Sequence, residues 1–146
     1  MYKFERENDF NSVVPFVSEW AHDTAGDADL GIVFHSGKEW VKVSKGEQVC
    51  GYLSIVANHG CYVEVHPFIS KSVKGQGVKI LQKFIDWLDS WLPTCYGSII
   101  TKSPETYKHI EKIAYFLNFK KVGEIKNGFV KNGIIQNMVI YQRMRA

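Results

Sequence analysis

The feature that most constrains the fold of this chain is a change of hydrophobic period near its middle. The segment from Cys61 to His66 alternates in polarity and is rich in β-forming residues, which predicts a strand ending at Pro67. From Gly77 to Leu92 the apolar residues recur at three-and-four spacing, which predicts an amphipathic helix lying on a sheet. A strand, a glycine-containing loop and a long helix therefore follow one another.

Shorter patterns predict the elements around this unit. Before it we expect a strand over 2–5, a helix from Val13 to Trp20 capped by Asn8 or Asn11, and a hairpin of 40–43 with 49–56. After it we expect a parallel strand over 97–101, a helix starting at Ser103-Pro104-Glu105, and a hairpin of 120–126 with 134–143 around Asn127-Gly128 and Asn132-Gly133. These elements predict an α+β fold whose mixed, mostly antiparallel sheet has six or seven strands and helices on both faces.

Length and composition set broad limits. The 146 residues predict one domain over 1–146, and 45% hydrophobic residues allow a sizeable core. A net charge of +3 does not indicate a nucleic-acid binder. The start has no signal-like segment and no apolar run is long enough to cross a bilayer, so we expect a soluble protein without membrane attachment. Three cysteines without C-x-x-C spacing favour reduced thiols in a cytoplasm.

The loop between the central strand and helix is the most informative segment for function. Gly75 and Gly77 allow close approach of the backbone to a ligand, and Lys71, Lys74 and Lys79 add positive charge. Backbone N–H groups at a helix N-terminus attract anions. The loop therefore predicts a cradle for a phosphate or pyrophosphate. It matches neither a P-loop nor a dinucleotide fingerprint.

The order of the predicted strands and helices, together with the motif in the loop, resembles the GNAT superfamily, the acetyl-CoA-dependent N-acyltransferases. Gly75-Gln76-Gly77 is similar to half of the family's Q/R-x-x-G-x-G/A signature, and Val65-His66-Pro67 to the strand-end V-x-P before it. The segment 113–123 is similar to the family's tail. Ser72 stands where the signature has Gln or Arg, Asn118 where the tail has Gly, and Ala114 where the family has a tyrosine acid.

The resemblance implies a GNAT-type acyl-CoA N-acyltransferase fold with acetyl-CoA as acyl donor. Its pyrophosphate is expected over Lys71 to Gly77, and its pantetheine arm along Val65 to Ile69, paired like an added strand. The residues expected to bind it are Val65, Pro67, Phe68, Ile69, Lys71, Ser72, Val73, Lys74, Gly75, Gln76, Gly77 and Val78.

The implied reaction is direct transfer of an acetyl group to an amine. Glu64 is the first candidate for the base, acting directly or through a water, and His66 is the second, because a free imidazole titrates near neutrality. Both are expected on one face of the central strand, where one can support the other. A backbone N–H between Val65 and Phe68 is expected to polarise the thioester oxygen. Tyr115 or Tyr107 is the candidate acid that protonates the leaving thiolate.

Two other functions stay open. One is a catalytically inactive GNAT-like structural or assembly protein, of phage head or virion type, that acts through protein partners. The other is a regulatory module that binds acyl-CoA. For the enzyme we expect a small-molecule or peptide amine as acceptor, bound by variable loops such as 22–34, and a homodimer is not excluded. No metal is expected, because His22, Asp23, Asp27 and Asp29 lack any ligand spacing.

Overall fold

The computed structural model describes residues 1–28, 39–58, 62–73, 75–91 and 97–145, which contain seven strands and four helices. In chain order they are β1 (Tyr2–Glu7), α1 (Phe10–Glu19), α2 (Ala21–Ala25), β2 (Glu39–Lys45), β3 (Gln48–Asn58), β4 (Tyr62–Ile69), α3 (Gly77–Trp91), β5 (Ser98–Pro104), α4 (Lys108–Phe116), β6 (Lys120–Lys131) and β7 (Ile134–Met144). None of the described helices is long and apolar enough to cross a membrane.

All seven strands belong to one sheet with the order β1-β2-β3-β4-β5-β7-β6. The pairing of β4 with β5 is parallel and every other pairing is antiparallel. The crossover that this parallel pair requires contains α3, as the change of period predicts. The predicted α+β architecture, with a mixed and mostly antiparallel sheet of six or seven strands, is confirmed.

The two faces of the sheet carry separate apolar clusters. On one face α3 buries Ile80, Phe84 and Leu88 in a core that also holds Val63 and Val65 of β4. Burial of each such side chain contributes about 1.5–3 kcal/mol.

On the other face Val13 and Val17 of α1 pack with Trp40, Tyr52 and Phe68. Because side chains alternate along a strand, the even-numbered residues of β4 lie on the α1 face.

The prediction that the central strand ends at Pro67 is wrong, because β4 continues to Ile69. Its pairing with β3 runs without interruption and extends to a hydrogen bond from the Ser70 N–H to the Cys50 carbonyl, at 2.8 Å. By alternation the nitrogen of Pro67 points away from β3 and toward β5. The strand therefore tolerates this proline, whose missing N–H removes no bond to β3.

Two predicted helix starts are also wrong. α1 is capped by the Asp9 carboxylate, which accepts from the Asn11 N–H at 3.0 Å, and not by an asparagine. Pro104 does not begin a helix but ends β5 opposite Met138 of β7. α4 begins later, at Lys108.

The closing hairpin turns at Asn132-Gly133, where both residues have positive φ. Asn127-Gly128 lies inside β6 at a shift of register, and Asn127 also has positive φ. Of the two predicted turn signals, the first is therefore a bulge.

Candidate active site

A gap opens between β4 and β5. Their parallel pairing ends where Glu64 meets Ile100, yet β4 continues to Ile69 and β5 to Pro104. By alternation Val65 and Ile69 face β5, and the last bridge, of Glu64 with Ile100, uses the Val65 N–H, which donates to the Ile100 carbonyl. The expected donor between Val65 and Phe68 is therefore not open to the gap, whereas the Ile69 N–H points into it. The Ile69 carbonyl accepts a hydrogen bond from Trp20 Nε1 at 2.8 Å. The gap edge of β4 therefore has one main-chain donor positioned to pair with an extended ligand.

Both walls of the gap contain a proline. Glu105 donates its N–H to the Asn137 carbonyl of the segment before β7, at 3.0 Å, so by alternation the nitrogen of Pro104 points toward β4. The nitrogen of Pro67 points toward β5. Since neither proline has an N–H to donate, the two strands cannot form a continuous ladder across the gap.

Glu64 and His66, the two predicted bases, are in contact at the narrow end of the gap. Glu64 Oε2 lies 2.7 Å from His66 Nε2, and each side chain is 21% exposed. The hydrogen bond from His66 lowers the pKa of Glu64 to about 2, and Lys102 lowers it further against the opposing effect of burial. A carboxylate with so low a pKa is a weak base.

This pKa fixes the tautomer of the neutral His66 ring. An ionised carboxylate only accepts hydrogen bonds, so Nε2 must carry the proton that bonds Glu64. The lone pair then lies on Nδ1, which makes no hydrogen bond to any residue in the described ranges. The pair therefore presents a nitrogen able to take a proton.

Lys102 of β5 is a third member of this cluster that sequence reasoning missed. Its Nζ lies 2.9 Å from Glu64 Oε1, with the Lys102 side chain 31% exposed. Extending the β4–β5 register past Glu64 and Ile100 would place Lys102 opposite His66. That register is the signal that could have revealed Lys102, and it is not encoded in either segment alone.

The two candidate acids lie elsewhere and neither bonds Glu64 or His66 in the described part of the chain. Tyr115 is 49% exposed and its ring makes an edge contact with Tyr141 at 6.2 Å. The Tyr107 hydroxyl donates to the Asp23 carbonyl at 2.9 Å and accepts from Lys131 Nζ at 3.2 Å. The Tyr107 proton is thus committed to a contact between α2 and the start of α4.

The end of α4 turns through a left-handed residue that is not a glycine. Asn118 has φ +67°, a left-handed conformation that asparagine tolerates better than most residues. The Phe119 N–H then reaches the Ala114 carbonyl at 2.9 Å and closes the helix end. Asn118 is therefore a conservative departure in shape, whereas the buried Ala114 offers no hydroxyl at the tyrosine position.

The predicted cradle lies at the start of α3. Gly75 has φ +74°, and a Cβ at either Gly75 or Gly77 would meet no atom within 4 Å. The Gln76 side chain accepts from the Tyr2 hydroxyl, which ties this loop to β1. Open space beside two glycines at a helix N-terminus suits an anion. Lys74 lies outside the described residues.

The first part of the loop is tied to α1. Glu19 accepts from the Lys71 N–H at 2.9 Å and from Ser70 Oγ at 3.3 Å. The Lys71 ammonium lies 4.4 Å from the centre of the Trp20 ring, and Ser72 Oγ lies 2.9 Å from Ser70 Oγ. Glu19 therefore already occupies the first amide of the predicted cradle.

Three other residues predicted to bind the cofactor have buried or partly buried side chains. Phe68 is buried in the α1 cluster and Val73 in the α3 core, so they face a ligand through their backbone alone. Val78 is partly buried against the same α3 core. Among the described residues no group of three or more His, Cys, Asp or Glu could hold a metal ion.

The sequence of the chain matches one protein family. The sequence model of one family, described as a protein of unknown function (DUF2824), matches residues 26–146. The chain belongs to this family. No curated protein matches the sequence.

Solved structures reveal the fold. An acetyltransferase from Bacillus subtilis in complex with CoA has TM-score 0.76 and 14% identity, with 100% of each chain covered. A ribosomal-protein-alanine N-acetyltransferase from Brucella melitensis has TM-score 0.74 and 14% identity, with 99% of each chain covered. A mutant spermidine N-acetyltransferase from Vibrio cholerae has TM-score 0.75 and 10% identity, and the match covers 98% of this chain and 93% of the other. This DUF2824 chain therefore has the GNAT fold, as the resemblance implies.

Acetyl-CoA, which this fold implies, fits the residues present. Ile69 offers an N–H donor in the gap, and Gly75 and Gly77 leave open space at the start of α3. The residues that would hold it are therefore the gap edge of β4 and the loop up to Val78. Because Glu19 occupies the Lys71 amide, the anionic part is expected on the later amides of the loop.

Proposed function

We propose that the chain is an acetyl-CoA-dependent N-acetyltransferase that transfers the acetyl group to an amine by direct attack. One observation carries the proposal: His66, whose Nδ1 bonds none of the described residues, lies directly after the last paired residues of β4 and β5, where the gap opens. A proton acceptor thus lies beside the opening, and the Ile69 N–H lies further along the same wall. The loop with Gly75 and Gly77 lies at the far end of the same strand.

Acetyl-CoA, when bound, supplies an activated thioester. His66 takes the proton that the attacking amine loses, at Nδ1. The ionised Glu64 stabilises the resulting imidazolium and holds its ring in place, 2.7 Å away. As the new C–N bond forms and the C–S bond breaks, the departing sulfur needs a proton.

The choice of base and acid follows from the contacts. Glu64 is the weaker base, because both of its oxygens are bonded and its pKa is about 2. We therefore place proton transfer on His66 and assign a positioning role to Glu64. Tyr115 is the better acid candidate, because the Tyr107 hydroxyl already donates to Asp23.

The acceptor is proposed to enter on the α1 face, where Glu64 and His66 lie. Two contacts tie the region of α2 to the β6–β7 hairpin: Lys131 Nζ bonds Asp23 Oδ1 at 2.9 Å, and the Asp27 carboxylate accepts from the N–H of Gly133 at 2.8 Å. The similar proteins are named for a ribosomal protein and for spermidine. We extend to this chain the class that they share, an amine carried by a small molecule or a peptide.

Calorimetric titration with acetyl-CoA tests the cofactor site with a matched pair of variants. Gly77→Ala adds a methyl group to open space, whereas Gly77→Glu places a long anionic side chain there. We expect the alanine variant to bind like the wild type and the glutamate variant to lose at least about tenfold in affinity. A wild type that does not bind acetyl-CoA would overturn the proposal.

Two observations favour the assembly alternative. Ala114 replaces the tyrosine of the family, and apolar side chains at the β6–β7 hairpin are exposed, among them Ile134 at 66% and Ile135 at 60%. A protein that binds no acetyl-CoA and associates through this hairpin would fit that alternative. Binding without release of CoA in the presence of amines would instead fit a regulatory module.

A further inference from the structure

Lys102, Glu64 and His66 form a continuous chain of contacts across the narrow end of the gap. Lys102 Nζ lies 2.9 Å from Glu64 Oε1, and the other oxygen of the same carboxylate lies 2.7 Å from His66 Nε2. Lys102 belongs to β5, while Glu64 and His66 belong to β4. The ammonium thus reaches the carboxylate from the opposite wall.

We propose that Lys102 is a positioning residue for acetyl transfer, which holds the Glu64 carboxylate so that Glu64 fixes the His66 ring with Nδ1 open to the acceptor. The role of Nδ1 in transfer rests on the proposed function. The orientation of the ring can be tested without it.

The Glu64 carboxylate would not be held in one orientation by His66 alone. Glu64 has three rotatable side-chain bonds, so a single hydrogen bond to His66 leaves its carboxylate free to turn. With Lys102 on one oxygen and His66 on the other, both ends of the carboxylate are fixed. Partial burial makes these contacts stronger than those of a surface ion pair.

The orientation of the Glu64 carboxylate in turn determines the tautomer of the His66 ring. A neutral imidazole exists as two tautomers, and the hydrogen bond made by one nitrogen selects which is populated. A fixed Glu64 selects the form with the proton on Nε2. If Glu64 turns away, His66 loses this selection, and the lone pair is no longer held on Nδ1.

The first experiment measures the tautomer by NMR of protein labelled with ¹⁵N-histidine, without acetyl-CoA and at a pH where the ring is neutral. Comparison with His66→Gln assigns the His66 signals. We expect the wild type to have Nε2 protonated and Nδ1 bare, Lys102→Met to show a mixture of tautomers, and Lys102→Arg to keep the wild-type pattern. Lys112→Met, an exposed lysine on α4, is the matched control and should change nothing.

The second experiment measures transfer by the same variants. We expect Lys102→Met to lower kcat about tenfold while the Kd for acetyl-CoA stays unchanged, and Lys102→Arg to recover most of the loss. An unchanged tautomer in Lys102→Met would overturn the proposal, as would a kcat that arginine does not restore. If the wild type transfers no acetyl group but the tautomer changes as expected, the proposed function fails while the positioning of the ring stands.

Discussion

Pro67 and Pro104 lie on opposite walls of the gap between β4 and β5. The backbone nitrogen of each proline faces the gap and carries no hydrogen. The two positions follow from hydrogen bonds on the outer sides of the strands, from Ser70 to Cys50 and from Glu105 to Asn137. The strands pair up to Glu64 and then separate. The prolines thus favour an open gap within the ladder of the sheet.

This arrangement predicts an alternating pattern of amide hydrogen exchange along β4. The N–H groups of His66 and Phe68 point to β3 and should exchange slowly, whereas that of Ile69 points into the gap and should exchange at least about tenfold faster. Exchange followed by ¹H–¹⁵N NMR without ligand measures the difference. Equal protection of Ile69 and Phe68 would mean that the gap is closed in solution.

A second prediction concerns the base. We expect His66→Gln to lower kcat by about 10²–10³-fold and Glu64→Gln by about tenfold, because His66 takes the proton and Glu64 positions the ring. Steady-state release of the CoA thiol measures both. A larger loss in Glu64→Gln than in His66→Gln would return the role of base to Glu64.

A third prediction follows from the pKa of Glu64, which is about 2 in the folded chain against an ordinary value of 4.5. A lowered pKa in the folded state gives stability that is present above pH 4.5 and is lost as the pH falls toward 2. The contribution is on the order of 2–3 kcal/mol at neutral pH.

Urea unfolding of the wild type and Glu64→Gln at several pH values measures this contribution. The difference in the free energy of unfolding should be largest near pH 7 and should shrink between pH 4.5 and the lowest pH at which the chain folds. Glu47→Gln, at an exposed position of the β2–β3 turn, provides the control. A difference that does not change with pH would show that Glu64 stabilises the fold through packing alone.

A fourth prediction concerns Glu19, whose carboxylate accepts from the Lys71 N–H at the first amide of the loop. Removal of this negative charge should favour a nearby anion, so we expect Glu19→Gln to bind acetyl-CoA about two- to fivefold more tightly at low salt. The exposed Asp86→Asn on α3 is the control. Weaker binding by Glu19→Gln would instead show that Glu19 holds the loop in its binding shape.

Much of the fold could be predicted because its signals are local. Alternation in β4 and the three-and-four spacing of α3 depend on residues close together in the chain. The contact between Glu64 and His66 could be expected for the same reason, since residues two apart share one face of a strand.

The missed features depend on distant segments. Lys102 reaches Glu64 through the register of a parallel pair, and Glu19 reaches Lys71 from a helix 52 residues earlier. The positions of Pro67 and Pro104 depend on which edge of each strand is paired. No local pattern in the sequence specifies such an edge, so the sequence alone predicts a boundary at each proline.

The most direct test of the central claim is the titration of ¹⁵N-labelled protein with acetyl-CoA, followed by backbone amide shifts. Binding in the gap and at the start of α3 predicts the largest changes at Val65, Ile69 and residues 75–78, with little change in the β6–β7 hairpin. No change at a large excess of acetyl-CoA, or changes confined to the hairpin, would contradict the account.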